Sequence, residues 1–257
     1  MTFKQRLAET DDRMTAHLCT IPSATVTQAM VAAGADAVIV DMEHGAIDYP
    51  GAHAMIAACA RSGCAPLVRV ARGHPEEVKR VLDLGAEGIC FPMIRTAQDA
   101  ADAVATLRYP PIGTRGFGPF FAHSHAGLSL SEYHAKVDGT LTCMLLIETV
   151  EAVANIEAIC AVPGIDIIVP ALFDLSTAMG LHGQFDHPEL RAAVATVEQA
   201  AHAAGLPLGG VALAQPQATA LLARGYRVIA GVDILWLRAR ATEVQGWLAD
   251  QSVSGNA

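Results

Sequence analysis

The chain has 257 residues, of which 52% are hydrophobic and 17% are charged, so it can bury a large core and is not disordered. Its net charge of −9 at pH 7, without a cluster of lysine or arginine, argues against nucleic acid and anionic membranes as partners. No apolar run approaches the roughly 20 residues of a membrane span, and residues 1–13 are too polar for a signal peptide. We therefore expect a cytoplasmic protein.

Short β-rich runs alternate with alanine-rich helical stretches along most of the chain. The first predicted strand, residues 17–20, precedes a helix that begins near Ser23 or Thr25. Seven more strands are predicted at residues 37–41, 65–69, 88–91, 141–148, 165–169, 208–211 and 227–232. Helices are predicted at residues 50–62, 75–84, 97–107, 150–160, 188–204 and 216–223.

This alternation predicts an α/β fold of the (β/α)8 barrel type, as one domain over residues 1–250. A doubly wound open sheet shares the alternation, but no GxGxxG follows the first strands and the strand count suits closure. Residues 251–257 are small and polar, and we expect them to form a disordered tail.

Two other features bear on organisation. The segment 108–131 is rich in Pro, Gly, Phe and His and is too long for a simple connection, which indicates a lid or a subunit contact. As a lid it would bring Arg115, Phe120, Phe121, His123 and His125 to the pocket mouth. The six cysteines form no CxxC pair and lie mostly in apolar runs, so we expect reduced, buried thiols without a zinc site.

Polar residues stand where several predicted strands end. Barrel enzymes place their chemistry at the carboxyl ends of the strands, so these side chains are expected to share one rim. They are Asp41, Glu43 and His44 after the second strand, Arg69 at the end of the third, Glu148 at the end of the fifth, and Asp174 after the sixth. Taken singly, the histidine could be a loop residue, the arginine could pair with a carboxylate, and the acids could be helix N-terminal charges.

Two carboxylates without a cysteine partner are hard oxygen ligands that suit Mg²⁺ or Mn²⁺, with Co²⁺ as a third candidate. Glu148 and Asp174 would leave positions free for a chelating 2-oxo acid, whose enolate the cation would stabilise beside Arg69. A Schiff-base mechanism is disfavoured because no lysine follows a strand. The lysines are Lys4, Lys79 and Lys136.

Six motifs in order, across nearly the whole chain, resemble the class II, metal-dependent pyruvate aldolases of the HpcH/HpaI family. The motifs are VIVDMEHG, PLVRV, RVLDLGAEGICFPMI, RYPPIGTRGFG, LLIETVEAVANIEAI and FDLSTAMG. The resemblance implies a barrel of the phosphoenolpyruvate/pyruvate-binding type. It also implies a homo-oligomer, a trimer or hexamer, with exchanged C-terminal helices.

The resemblance assigns roles residue by residue. His44 matches the general base, and Asp83 matches an acid that raises its basicity. Arg69 matches the residue that fixes the oxo acid and steadies its enolate. Glu148 and Asp174 match the metal ligands, and backbone amides near Phe173 and Asp174 match those that hold the substrate carboxylate. The resemblance thus implies three sets of site residues: catalytic His44, Arg69 and Asp83, substrate-binding Arg69, Phe173 and Asp174, and metal-binding Glu148 and Asp174.

Two positions depart from the family pattern. Leu146 stands where many relatives have glutamine, and Ala171, Leu172 and Phe173 replace a smaller Gly-Pro-Ala-like turn before Asp174. These changes indicate a reshaped donor or acceptor pocket.

The expected reaction is reversible aldol cleavage of a 4-hydroxy-2-oxo acid to pyruvate, or an analogue such as hydroxypyruvate, plus an aldehyde. Two alternatives stay open at this point. One is a lyase for malyl- or citramalyl-CoA thioesters, for which the chain offers little of the basic groove that nucleotide phosphates need. The other is a non-catalytic oligomeric binding protein on the same scaffold.

Overall fold

The computed structural model describes residues 1–249, with side chains described through Trp247. Within this range eight parallel strands close into a barrel in chain order, which confirms the predicted fold class. The strands are β1 Met14–Cys19, β2 Ala37–Asp41, β3 Ala65–Arg69, β4 Gly88–Phe91, β5 Thr142–Ile147, β6 Ile167–Pro170, β7 Leu208–Val211 and β8 Tyr226–Ala230. The tail predicted at residues 251–257 lies outside the described residues.

Helices connect the strands and cover the outside of the barrel. They are α1 Phe3–Glu9, α2 Ala24–Ala32, α3 Tyr49–Ala58, α4 Pro75–Asp83, α5 Ala97–Thr106, α6 Ala122–His125, α7 Leu130–Val137, α8 Val150–Ala154, α9 Ile156–Cys160, α10 Leu172–Ala178, α11 Pro188–Ala203, α12 Gln215–Ala223 and α13 Asp233–Ala249. Ser23 is the N-cap of α2 and accepts a hydrogen bond from the Val26 amide, which confirms the helix start predicted near Ser23.

The barrel has two apolar layers, one on each side of its strands. Small and branched side chains fill the lumen, whereas the larger cluster packs the strands against the helices. Helix α1, which the sequence did not predict, inserts Phe3 and Leu7 among the lumen residues such as Met14 and Val228. The lumen is therefore a packed core, and a pocket can form only where the strands end.

The segment 108–131 does not lie at the pocket mouth of its own chain. It connects the end of α5 to the start of β5, and such helix-to-strand connections lie near the amino ends of parallel strands. Arg115 within it donates a hydrogen bond to Asp83, and the imidazole of His125 stacks on that of His53 in α3. The lid prediction is wrong for a single chain because it judged the segment by composition and not by which end of the barrel it joins. That the segment 108–131 forms a subunit contact stays a prediction.

Two predictions on composition can be compared with the described residues. All six cysteines there are buried and free, as predicted. No helix among residues 1–249 combines the length and the apolar character needed to cross a membrane.

Candidate active site

The functional side chains continue the inward face of the strands beyond the apolar lumen. Residues two apart on a strand point to the same face, so Asp41 follows the lumen residue Ile39 on β2. By the same alternation Glu148 follows Leu146 of β5, and Arg69 ends β3 in register with Asp41. One hydrophobic pattern thus builds the core and delivers acidic and basic groups to the carboxyl-end rim.

Asp41 and Arg69 form the base of the site. The Nε and Nη2 atoms of Arg69 donate to the two carboxylate oxygens of Asp41 at 2.8 and 2.7 Å. Asp41 is fully buried and also accepts from the amides of Glu43 and His44, at 3.1 and 3.3 Å. Although burial opposes it, these bonds, led by that from Arg69, hold the pKa of Asp41 below its ordinary value. The pair fixes the turn that carries His44.

The turn after β2 is tight enough to require glycine. A Cβ atom at Gly45 would lie 2.3 Å from the carbonyl oxygen of Asp41 and 3.2 Å from that of Thr20. This close approach directs His44 outward, with 64% of its side chain exposed and its Nε2 3.7 Å from Oε2 of Glu43. The imidazole is therefore open to a ligand at the rim while its backbone is held by Asp41.

Glu148 is a buried carboxylate at this rim. It is 4% exposed and accepts a short hydrogen bond from the amide of Met93, whose φ of 58° lies in the left-handed region. Burial raises the pKa of Glu148 to about 7, and the carboxylates of Asp174 and Glu43 add to the rise against the Met93 bond and Arg69. A cation beside Glu148 would offset both the cost of burying its negative charge and its repulsion by Asp174 and Glu43.

Asp174 stands in the first turn of α10, directly after β6. Phe173 precedes it with its ring 52% exposed, and its carbonyl oxygen accepts from the hydroxyl groups of Ser176 and Thr177. The predicted binding of a substrate carboxylate by the amides of Phe173 and Asp174 stays a prediction.

Glu43 links the arginine to the acidic pair. Its Oε2 lies 3.3 Å from Nε of Arg69, and burial, with smaller contributions from Asp41 and Asp174, raises its pKa. The sequence placed Glu43 on this rim without giving it a role. Its position two residues past the strand was a usable signal, whereas the backbone contact of Met93 left no sequence signal.

Asp83 is set apart from the other predicted residues. It ends α4, which runs back from the carboxyl end of β3 toward the amino end of β4, and its Oδ1 accepts from Nη2 of Arg115 at 3.1 Å. Among residues 1–249 no hydrogen bond or ion pair joins Asp83 to His44. The structure therefore brings His44, Arg69, Glu148 and Asp174 to one rim and leaves Asp83 outside it.

Two carboxylates at this rim could hold a metal ion. The described part of the chain contains no group of three or more His, Cys, Asp or Glu side chains arranged around a common point. Glu148 and Asp174 could supply two oxygen ligands, and water and substrate would complete the coordination.

Comparison with known proteins agrees with this barrel fold. The family model for HpcH/HpaI aldolase/citrate lyase matches residues 20–238. A hydroxypyruvate/pyruvate aldolase of Chromohalobacter salexigens is 37% identical over 82% of this chain and 83% of its own. A 2-dehydro-3,6-dideoxy-6-sulfogluconate aldolase of Pseudomonas putida is 34% identical, over 86% and 87%. A crystal structure of an HpcH/HpaI aldolase/citrate lyase family protein from Burkholderia cenocepacia superposes with a TM-score of 0.87 at 31% identity, over 95% and 97%.

Fold and site thus define a barrel enzyme with an acidic carboxyl-end rim. The chain belongs to the HpcH/HpaI aldolase/citrate lyase family. Relatives at this level of identity support a carbon–carbon lyase with aldolase activity, and they do not favour a CoA-thioester lyase or a non-catalytic binding protein.

Proposed function

We propose that this chain catalyses reversible aldol cleavage of a 4-hydroxy-2-oxo acid to pyruvate, or to hydroxypyruvate, and an aldehyde. The observation that carries the proposal is Glu148, a buried carboxylate whose pKa of about 7 reflects burial and the charges of Asp174 and Glu43. Such a group is expected where a protein holds a cation next to the reacting molecule.

Glu148 and Asp174 would hold a divalent ion, with Mg²⁺ or Mn²⁺ preferred and Co²⁺ as a third candidate. When bound, such an ion polarises the carbonyl of a 2-oxo acid and stabilises the enolate that forms from it. The donor set fits, because it consists of hard oxygen ligands without a thiol.

Arg69 and His44 would act directly on the substrate. Arg69, held by Asp41 and Glu43, presents its charge to the oxygen that becomes negative as the enolate forms. His44 would accept the proton of the C4 hydroxyl as the C3–C4 bond breaks, which releases the aldehyde, and the enolate would then gain a proton at C3. The exposed Nε2 of His44 suits this transfer, directly or through a water molecule.

Asp83 can take part in this scheme only at the rim of a second copy, because in its own chain it lies toward the other end of the barrel. We therefore tie its role to a homo-oligomer, a trimer or hexamer with exchanged C-terminal helices. Helix α13 supports this proposal, since Ile234, Leu237 and Trp247 on it are exposed by 46%, 59% and 52%. A Leu237→Glu variant should dissociate in sedimentation, and an unchanged mass would count against the exchange.

The reaction is tested by pyruvate enolisation. In D₂O with Mn²⁺ the enzyme should exchange the C3 protons of pyruvate without any aldehyde present, as followed by proton NMR. The exchange should stop when EDTA is added and return with excess Mn²⁺. Exchange that persists in EDTA would refute a metal-held enolate, and no exchange under any condition would refute the aldolase itself.

A further inference from the structure

The rim between β6 and β7 is apolar, in contrast with the acidic rim beside it. Four large side chains there are 38–52% exposed: Phe173, Phe185, Val211 and Leu213. The rings of Phe173 and Phe185 meet edge to face, with centroids 5.0 Å apart and an interplanar angle of 79°. They form a wall of aromatic surface that no described side chain covers fully.

This wall adjoins the proposed reaction centre. Phe173 directly precedes Asp174 in the first turn of α10, and Val211 ends the strand next to β6 in the barrel. Leu146, two residues before Glu148, faces the lumen with an apolar side chain. A molecule bound between Glu148 and Asp174 would therefore meet apolar surface on this side.

Charge at the rim points the same way. Arg69 is already bound by Asp41 and Glu43, and the charge of a divalent cation on Glu148 and Asp174 would be balanced by those two carboxylates. The segments 171–187 and 211–215 contain no lysine or arginine. A carboxylate on the tail of an aldehyde would therefore lose hydration on this side of the mouth without gaining a lysine or arginine partner.

We propose that the acceptor aldehyde carries an uncharged, apolar tail that packs on the aromatic wall of Phe173 and Phe185. This inference rests on the proposed aldolase function and names the substrate class for the same site. Phe185 would be a specificity-determining residue that contacts the tail and takes no part in forming the enolate.

The aldehyde tail has a second possible direction, across the mouth of the barrel and away from the aromatic wall. Arg72 and Arg95, both exposed, follow β3 and β4 and lie on the far side of the barrel from β7. An aldehyde whose tail pointed toward them would be selected for a carboxylate. The two directions predict opposite preferences for tails of similar length.

The test compares aldol addition of pyruvate to pentanal and to 4-oxobutanoate, with acetaldehyde as the tail-free control. We expect the wild type to favour pentanal in kcat/KM. Phe185→Ala should lower kcat/KM for pentanal about 10- to 100-fold, because a pocket that loses apolar contact discriminates by about this much. Its values for acetaldehyde should stay within about twofold. Phe185→Leu, which keeps an apolar side chain, is the matched variant and should retain most of the preference.

Pyruvate C3 exchange separates this inference from the aldolase proposal. Phe185→Ala should exchange deuterium at the wild-type rate, which also shows that the variant folds. If exchange is intact but the wild type favours 4-oxobutanoate, or if Phe185→Ala affects all three aldehydes equally, the apolar acceptor is refuted and the aldolase stands. A change in mass of Phe185→Ala without a change in selectivity would show that the wall is a subunit contact, which also overturns the inference.

Discussion

The molecule holds two buried Arg–Asp pairs whose carboxylates respond in opposite directions. At the carboxyl-end rim, Asp41 receives two bonds from Arg69 and two from backbone amides, and its pKa is lowered. Near the other end, Asp83 receives one bond from Arg115, and burial raises its pKa despite the arginine. Four donated hydrogen bonds, two of them from Arg69, outweigh the burial of Asp41, whereas the single bond from Arg115 does not outweigh the burial of Asp83.

The two arginines, Arg69 and Arg115, also differ in the partners that their guanidinium groups have. Arg69 has acidic partners in excess, with Glu43 beside Asp41, so the rim carries surplus negative charge. The side chain of Arg115 is fully buried, and its Nε and Nη1 have no hydrogen-bond partner among the described residues. The rings of Tyr109 and Tyr133 lie 4.7 and 5.8 Å from its guanidinium carbon. We infer that the first pair prepares a site for a cation, whereas the second joins the segment 108–131 to α4.

The largest expected effect follows from removing a charge at the acidic rim. Glu148→Gln keeps the shape but loses the anionic ligand, so the cation and its several kcal/mol of enolate stabilisation should be lost. We expect aldol cleavage to fall about 10⁴-fold, since each ~1.4 kcal/mol is tenfold in rate. Steady-state kinetics at saturating Mn²⁺ measure this. A loss below about tenfold would contradict a ligand role.

His44 is expected to matter next. His44→Ala removes the exposed imidazole and should lower kcat by roughly 10²- to 10³-fold, as for loss of a general base. His187→Asn, at the N-cap of α11, is a matched control because asparagine can accept the same hydrogen bond from the Glu189 amide. If both variants keep full activity, His44 is not the base.

Replacing Arg115 tests how much its pair with Asp83 contributes to the unfolding free energy. Arg115→Met leaves Asp83 without its partner, and breaking a buried pair costs about 3 kcal/mol of unfolding free energy. Arg191→Met is the control, since the Arg191–Asp186 pair is exposed and such pairs contribute at most about 1 kcal/mol. Chemical denaturation of both variants gives the two values, and equal values would remove the contrast between buried and exposed pairs.

The smallest effect is the pH dependence of cation binding. With a pKa of about 7, Glu148 must release a proton to bind a cation below that pH, so Mn²⁺ affinity should fall about tenfold per pH unit below 7 and level off above it. The same shift means that the metal-free folded state holds this proton more tightly than the unfolded chain. Its unfolding free energy should therefore decline between pH 4.5 and about 7. Mn²⁺ titration by electron paramagnetic resonance at pH 6, 7 and 8 checks the first expectation, which a flat profile would contradict.

Sequence reading succeeded where one local pattern decides the structure. The bounds of β2, β3, β4 and β7 agree with prediction, because buried parallel strands appear as short apolar runs bounded by breakers. Strand β1 begins at Met14, three residues before the predicted start, and the predicted helix 150–160 is divided at Asn155 into α8 and α9. Strand ends also located His44, Arg69, Glu148 and Asp174, but their catalytic roles stay predictions.

Sequence reading failed where the position of a residue depends on how the chain connects the elements of the barrel. Helix α1 is short, and its Phe3 and Leu7 can be recognised as core residues only once the barrel lumen that they pack into is known. The segment 108–131 follows α5 and Asp83 ends α4, and both places lie toward the amino ends of the strands. Motif order alone does not show which end a residue occupies.

The central claim is that Glu148 and Asp174 jointly hold one divalent cation at the carboxyl-end rim. Isothermal titration of Mn²⁺ into the protein with saturating pyruvate tests it most directly, with Glu148→Gln and Asp174→Asn measured in parallel. The account predicts one Mn²⁺ per chain for the wild type and no measurable binding for either variant. Wild-type binding that survives in both variants, or no binding in the wild type, would contradict it.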